Sequence, residues 1–538
     1  MAFSSHKLKE LFIGRVPSLH HEHSAYKWWV LINVMIGTFM AVLDATIVNV
    51  ALPKLMASFG VDVDKAEWVI TVYMLAFAVM LPTSGWVADH LGYKKTYFMA
   101  LFLFTFGSFL CGLAWNEDVL IGFRIVQAMG AGFLMPVGMA IVIREFPPRQ
   151  RGIALGFWAI AAAASVSLGP LIGGYLVDNI SWNAIFDVNI PVGIVGLLAT
   201  VVIQREYKTE HSRSFDVVGF ISMSVFLVAL LLALSDGNAA WNTGGWTSPF
   251  ILTCFAVAAV CFTIFLTVEL TIEHPLIELS LFKNFNFAVT NGILFIFGLG
   301  MFGSTFLLPL YLQNSMGYTA LQTGAMFLPV GILQAIFSPI AGYLSDKVNP
   351  KIPAIIGITL LGISLYLNGW LSVYSEELQL IVPLYLRGIA MGLLFTPLTT
   401  LAQSEIPRHK IAQSSGLFNV IRQLGGSFGV AIMGALLTRR MLYHTAMYGQ
   451  MLDPHSPGAQ AIASRLTSFS YSVLGSSQGM SAMQAKALLL SHAMKQAFVR
   501  AISDDFLVAA AITIVGVFPI LFLRTHKASS HDAPAPME

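Results

Sequence analysis

The sequence predicts an all-α polytopic membrane protein in which two pseudo-symmetric six-helix bundles flank an inserted helical pair. Three observations predict it. Hydrophobic residues make up 56% of the 538-residue chain and charged ones only 11%, a balance that cannot stay soluble. Fourteen apolar segments approach or exceed the roughly 20 residues that a spanning helix needs. The first six and the last six of these share motifs at matching places, the mark of a duplicated unit.

The spans are expected at 28–51, 66–87, 96–114, 119–143, 153–177, 184–203, 217–235, 248–268, 287–312, 320–343, 353–372, 379–402, 412–437 and 506–523. They divide the chain into an N-terminal segment 1–27, a first bundle 28–204, a linker 205–286 with spans 7 and 8, a second bundle 287–524 and a tail 525–538. Segment 1–27 has no apolar core followed by a cleavage site, so it is not a signal peptide. Its His20, His21, Glu22 and His23 read as a solvated polar tail. Segment 438–505, between spans 13 and 14, is polar with helical periodicity. Ser456-Pro457 suits the start of one helix there and Ser481 the start of another, giving an extramembrane helical hairpin.

Cytoplasmic loops collect Lys and Arg, and most of the 30 in this chain fall on one side, among them Lys94, Lys95, Arg144, Arg149, Arg151, Lys347 and Lys351. The short loops opposite hold only Lys54 and Lys65. Both termini are therefore expected in the cytoplasm.

The duplication is legible in three places. Pro82, Gly85 and Asp89 of span 2 reappear with the same spacing as Pro339, Gly342 and Asp346 of span 10. Arg124 to Gly130 in span 4 is echoed by Arg387 to Gly392 in span 12. Gly169 to Gly173 in span 5 is echoed by Gly425 to Gly429 in span 13.

Within span 1 stands an acid, Asp44. A charge at bilayer depth costs about 2.5–3.5 kcal/mol on insertion scales, so it implies both a function and a partner. Asp44 lies about 10 Å from the outer end of span 1, and Arg124 lies at matching depth in span 4. A carboxyl that alternates between a paired and an unpaired setting can carry a proton. The same alignment places Gly300 or Met301 opposite Asp44, so proton coupling is expected in the first bundle alone. Gly85, Asp89, Gly92, Lys94 and Lys95 end span 2 and form the next loop, where an acid beside a neighbouring helix N-terminus would act as a conformational latch. Asp346 is its counterpart. Gly169, Pro170, Gly173 and Gly174 join a helix breaker to a small-residue face, a hinge or tight packing surface. Asn49, Gln127, Arg387 and Arg422 are candidates for the cavity wall.

Other chemistries are disfavoured. Gly298-Leu299-Gly300-Met301-Phe302-Gly303 matches a dinucleotide-binding pattern but lies mid-span with no strand before it. Every histidine falls outside the apolar spans, against haem or His-ligated metal in the bilayer. The net charge of +2 gives no footing for nucleic acid, and Cys111, Cys254 and Cys261 offer no disulfide framework. No cofactor and no enzymatic activity are expected.

Together these motifs resemble the major facilitator superfamily, and within it the fourteen-span drug:proton antiporters of the EmrB/QacA type. Leu43-Asp44-Ala45-Thr46-Ile47-Val48-Asn49-Val50-Ala51-Leu52-Pro53 is similar to that branch's span 1 signature. Gly85 to Lys95 resembles the general motif of loop 2–3, Arg124 to Gly130 the span 4 motif, and Gly169 to Gly174 the antiporter motif. Ala128, Ser165 and Asn183-Ala184 depart from the usual residues. The resemblance implies a proton-coupled multidrug efflux antiporter of the bacterial inner membrane, exporting lipophilic or amphiphilic compounds by alternating access. It implies that Asp44 and Arg124 handle the proton, and that 438–505 docks a periplasmic adaptor and outer-membrane channel of a tripartite pump. A dedicated exporter of one metabolite, lipid or siderophore, or a transport-dead sensor or assembly subunit, are the alternatives.

Overall fold

The computed structural model describes residues 25–61, 63–207, 215–239, 241–272, 275–407, 410–451, 457–474 and 478–523. The polar tail with His20, His21 and His23, and Ser456, lie outside them. Among the described residues, 14 stretches of helix are long and apolar enough to cross a membrane, and each overlaps a span expected from sequence. The principal helices are α1 Tyr26–Phe59, α2 Val63–Leu91, α3 Tyr93–Gly112, α4 Glu117–Glu145, α5 Arg151–Asn179, α6 Asn189–Ile203 and α7 Val217–Asp236. They continue as α8 Pro249–Thr271, α9 Phe285–Asn314, α10 Leu328–Lys347, α11 Lys351–Asn368, α12 Glu377–Gln403, α13 Ile411–Met451 and α14 Gln478–Val515. Short helices Ala184–Asp187 and Ala320–Met326 precede α6 and α10.

Local chemistry sets where several helices begin. Asn116 caps α4 by accepting from the Val119 amide at 2.8 Å, and Glu117 and Asp118 fill the first turn, where negative charge offsets the dipole. Asp216, Ser248 and Asn284 cap α7, α8 and α9 in the same way.

The packing repeats. In the first bundle α1 lies on α5, α2 on α4, α3 on α4 and α6; in the second, α9 lies on α13, α10 on α12, and α11 on α12 and α14. The inserted helices α7 and α8 pack on each other, and α7 reaches α2 and α13. The bundles meet along two seams, α5 with α10 and α2 with α13.

Small residues make the first seam close. A Cβ added to Gly342 would overlap the Gly152 carbonyl, and one on Gly156 would lie 2.5 Å from the Ser338 carbonyl. Without a hydrophobic drive between helices in lipid, such backbone approach is what holds a seam together. Gly85 does the same at the second seam, where its Cβ would sit 2.7 Å from the Gln413 Cα.

The segment between spans 13 and 14 holds the expected pair of packed helices, but they are not separate from the spans: α13 runs unbroken for 41 residues and α14 for 38, so both continue past the bilayer. A third helix, Pro457–Leu474, packs against α14. Pro457 is its first residue, as its fixed φ favours, but α14 starts at Gln478, ahead of Ser481. The physical reason is that neither Gly nor Pro occurs in 438–448 or in 480–505, so nothing stops either helix at the edge of its apolar span.

Gly342→Leu should lower the thermal midpoint of the purified protein by an amount equivalent to about 1–3 kcal/mol, the usual cost of overpacking. Gly292→Leu, at a position where a Cβ meets nothing within 4 Å, should leave it unchanged. Thermal unfolding of both variants in one detergent checks the difference.

Candidate functional site

Asp44 and Arg124 meet. The Arg124 Nη1 donates to Asp44 Oδ2 at 2.5 Å, with both side chains essentially inaccessible to solvent. The pair joins α1 to α4, and matching depth in antiparallel helices brings it about.

A shell of neutral donors and acceptors surrounds it. Gln127, one turn after Arg124 on α4, donates to Asp44 Oδ1 at 2.7 Å and accepts from Arg124 Nη1 at 2.7 Å. Asn189, at the start of α6, donates to the same carboxylate oxygen at 3.3 Å. Ser108 on α3 accepts from both amides, at 2.7 Å from Gln127 and 3.0 Å from Asn189. Arg124 Nε donates to the Val69 carbonyl of α2 at 3.2 Å, and its guanidinium lies 4.0 Å from the Tyr73 ring centroid. Each of the first six spans except α5 therefore supplies a group. A buried ion pair is tolerable only when its remaining lone pairs and protons find partners, and here both Asp44 oxygens and the Arg124 Nε and Nη1 groups do.

Asn189, Ser108 and Tyr73 escaped the sequence reading. The signal available was a polar side chain in a span otherwise apolar, as at Asn189, but many such residues bond only to their own helix. Asn49 is one of these: it is exposed, and its Nδ2 turns back to the Ala45 carbonyl at 3.4 Å.

The second bundle differs. Gly300 faces α14, where a Cβ would overlap Thr513 Oγ1, whereas Asp44 faces Asn189 on the corresponding α6. There is no room for an acid at Gly300 as the helices stand. Arg387, the counterpart of Arg124, is buried with Nε, Nη1 and Nη2 all lacking a hydrogen-bond partner among the described residues. Arg422 is partly buried, donates weakly to Asn419 at 3.4 Å and lies 5.7 Å from the Phe395 ring centroid. Phe395 also approaches Trp158 of α5 and Phe418 of α13, each at 6.1 Å, so an aromatic cluster crosses between the bundles. Trp158 is held by its Nε1–H donating to Thr38 of α1 at 2.8 Å.

The acid beside a helix N-terminus is realised at Asp346. Its two oxygens accept from the Gly152 and Ile153 amides at the start of α5, both at 2.9 Å, clasping the second bundle to the first. Asp89 accepts from Tyr93 at 3.1 Å, within its own loop. Gly92 adopts φ +99°, a left-handed conformation that favours glycine, and lets Lys94 reach the Val201 carbonyl of α6 at 2.7 Å. Lys95 is exposed. The span 5 motif divides its duties. A Cβ on Gly169 or Gly173 would strike Thr46 or Ile47 of α1, while Pro170 and Gly174 face the helix Ala320–Met326 of the second bundle. Asn183, one of the departures noted above, donates to the Gly112 carbonyl at 2.7 Å and ties the α5–α6 corner to the end of α3.

Comparison with known proteins agrees with this architecture. The sequence profile of the Major Facilitator Superfamily matches residues 34–430. The chain is 32% identical over 490 residues to the multidrug export protein EmrB of Escherichia coli, covering 90% of this chain and 93% of EmrB. It is also 32% identical over 500 residues to the fatty acid resistance protein FarB of Neisseria gonorrhoeae, covering 92% and 95%. The human organic anion transporter MFSD10 shares the fold, with a TM-score of 0.60 at 13% identity over 92% of this chain and 99% of that one. With its 14 apolar spans and these relatives, the protein is a multi-pass protein of the bacterial inner membrane and a transporter, not an enzyme. The chain belongs to the major facilitator superfamily, in the family of EmrB-type exporters.

Proposed function

We propose that the protein is a proton-coupled efflux antiporter that exports lipophilic or amphiphilic compounds by alternating access, with both termini in the cytoplasm and Asp44 as the proton carrier. The observation that carries this reading is the fully buried Asp44–Arg124 pair inside a cage of neutral hydrogen-bonding groups. Ionised Asp44 is held by three side chains, so taking up a proton weakens its hold on Arg124 and loosens α1 from α4. Arg124 stays tied to α2 through Val69 and Tyr73. The freed helix is α1, and two residues past Asp44 it meets α5 through Thr46 and Gly169. Because α5 is zipped to α10, a shift of α1 reaches the seam between bundles. Asp346 on the α5 N-terminus then acts as the clasp that opens and closes with the cycle, and Gly85, Asp89 and Lys94 brace the equivalent end of α2.

No cofactor is called for. At a proton-motive force of about 150 mV, one proton supplies roughly 3.5 kcal/mol, enough for about a 300-fold gradient of a neutral substrate. Relatives named for multidrug export and for fatty acid resistance support lipophilic substrates. A second reading, a dedicated exporter of an anionic amphiphile, is favoured by one observation: Arg387 is a buried cation with no acceptor among the described residues, a charge that a substrate's acidic group would satisfy if the cycle brings the two together. The helix Pro457–Leu474 and the extensions of α13 and α14 are proposed to dock a periplasmic adaptor of a tripartite pump.

Asp44→Asn should abolish proton-driven uphill transport in everted vesicles while leaving substrate binding in place; uphill transport at the unmodified rate would refute the assigned role. Arg387→Gln should reduce export of carboxylate amphiphiles by at least about tenfold and spare cationic dyes if the second reading holds. Equal loss of both classes would favour the multidrug reading with a structural Arg387. Deleting 457–474 should impair resistance of whole cells more than transport in vesicles, and equal impairment would count against docking.

A further inference from the structure

A cleft of about 570 Å³ opens where α1 begins, between the start of α5 and the end of α10. It lies across the seam between bundles and away from the Asp44 network. Three cations line it: Lys27 and Arg149 from the first bundle and Lys347 from the second. The carboxylate in its wall, Asp346, has both oxygens engaged by the Gly152 and Ile153 amides. Lys27 donates to the neutral Gln150 at 2.6 Å. Among the described residues, no carboxylate lies within ion-pair distance of Lys27 or Arg149, and none outside the engaged Asp346 faces Lys347.

Three cations brought to one concavity repel each other unless an anion joins them. The rim indicates which kind. Trp28 and Tyr343 line the cleft, 37% and 54% exposed, at the level where helices leave the apolar layer. Aromatic rings at that level bound the headgroup zone of a bilayer. Trp28 is fixed there by edge-on contacts with Phe146 at 5.2 Å and Phe157 at 5.7 Å. A basic pocket between spanning helices, with an aromatic rim at headgroup depth, suits an anionic lipid headgroup.

We propose that this cleft binds the phosphate headgroup of an anionic phospholipid, which Lys27, Arg149 and Lys347 hold jointly. The lipid bridges the two bundles beside the Asp346 clasp. It therefore binds the arrangement in which α5 and α10 are closed at this end, and it leaves when they separate. The membrane's anionic lipid content thereby sets how firmly the clasp holds.

The test uses the full-length protein released from vesicles containing phosphatidylglycerol and phosphatidylcholine, with retained lipids counted by native mass spectrometry. Phosphatidylglycerol should be retained at one site with a preference of about tenfold or more over phosphatidylcholine. The triple variant Lys27→Gln/Arg149→Gln/Lys347→Gln should lose that preference. Lys95→Gln/Lys283→Gln/Lys351→Gln, which removes as much charge from the same side outside the cleft, should keep it. With brominated phosphatidylglycerol, Trp28→Phe should remove a component of the tryptophan quenching. Retention by the cleft variant, or equal loss in the two triple variants, would overturn the proposal. So would displacement of the lipid by millimolar inorganic phosphate, which would make free phosphate the ligand. Both triple variants change exposed or half-buried side chains, and a monodisperse size-exclusion profile confirms that each is folded.

Discussion

The first bundle is arranged around one buried charge pair. A carboxylate and a guanidinium in a low-dielectric interior attract strongly but lose their hydration, and removing either partner leaves an uncompensated charge that typically costs about 3–5 kcal/mol. Everything around Asp44 and Arg124 answers that constraint. Gln127 donates to one partner and accepts from the other, Asn189 and Ser108 close the ring, and the Val69 carbonyl takes the outlying Nε proton. A densely connected polar network of this sort fixes helix register, because sliding any member by one turn would orphan several groups at once. The glycines of α5 then let α1 lie close enough for that register to be felt at the seam.

The two halves share a backbone plan but not an interior. In the first, polar groups at mid-depth are consumed by each other. In the second, Arg387, Asn368, Thr396 and Thr513 carry polar atoms without partners among the described residues. The second copy has the arginine but not the acid, so one copy holds a charge pair and the other buries polar groups without that pairing. Asp346 takes two backbone amides from a helix start, where unpaired N–H groups and the helix dipole both favour an anion. Asp89 accepts, among its contacts, the Tyr93 hydroxyl.

Much of this was legible in the chain. Span number, the duplication and the Asp44–Arg124 partnership follow from hydropathy, spacing and the cost of charge in lipid, which are one-dimensional signals. Legibility ended where three dimensions decide. Asn189 and Asn49 are both polar residues in spans, yet one points into the cage and the other folds back on its own helix, and only the rotation of α1 and α6 distinguishes them. The Pro-Gly-Asp repeat marked the Asp346 clasp, but how closely Gly342 lets α10 approach the α5 N-terminus is set by the packing of the two helices. The continuity of α13 was hidden because hydropathy ends the span at Leu437, and helical periodicity beyond it does not tell a continued helix from a new one.

That run has a mechanical corollary. At 1.5 Å per residue, the 41 residues of α13 form a rod of about 60 Å, twice the roughly 30 Å apolar thickness of a bilayer. With α14 alongside, and the helix Pro457–Leu474 packed on α14 in turn, it is braced as a mast. A mast anchored in the second bundle turns rotation into travel, and a tilt of about 10° carries a tip some 30 Å beyond the membrane sideways by about 5 Å. Each rocking of the bundle is thus displayed outside the membrane as a displacement the size of a side chain.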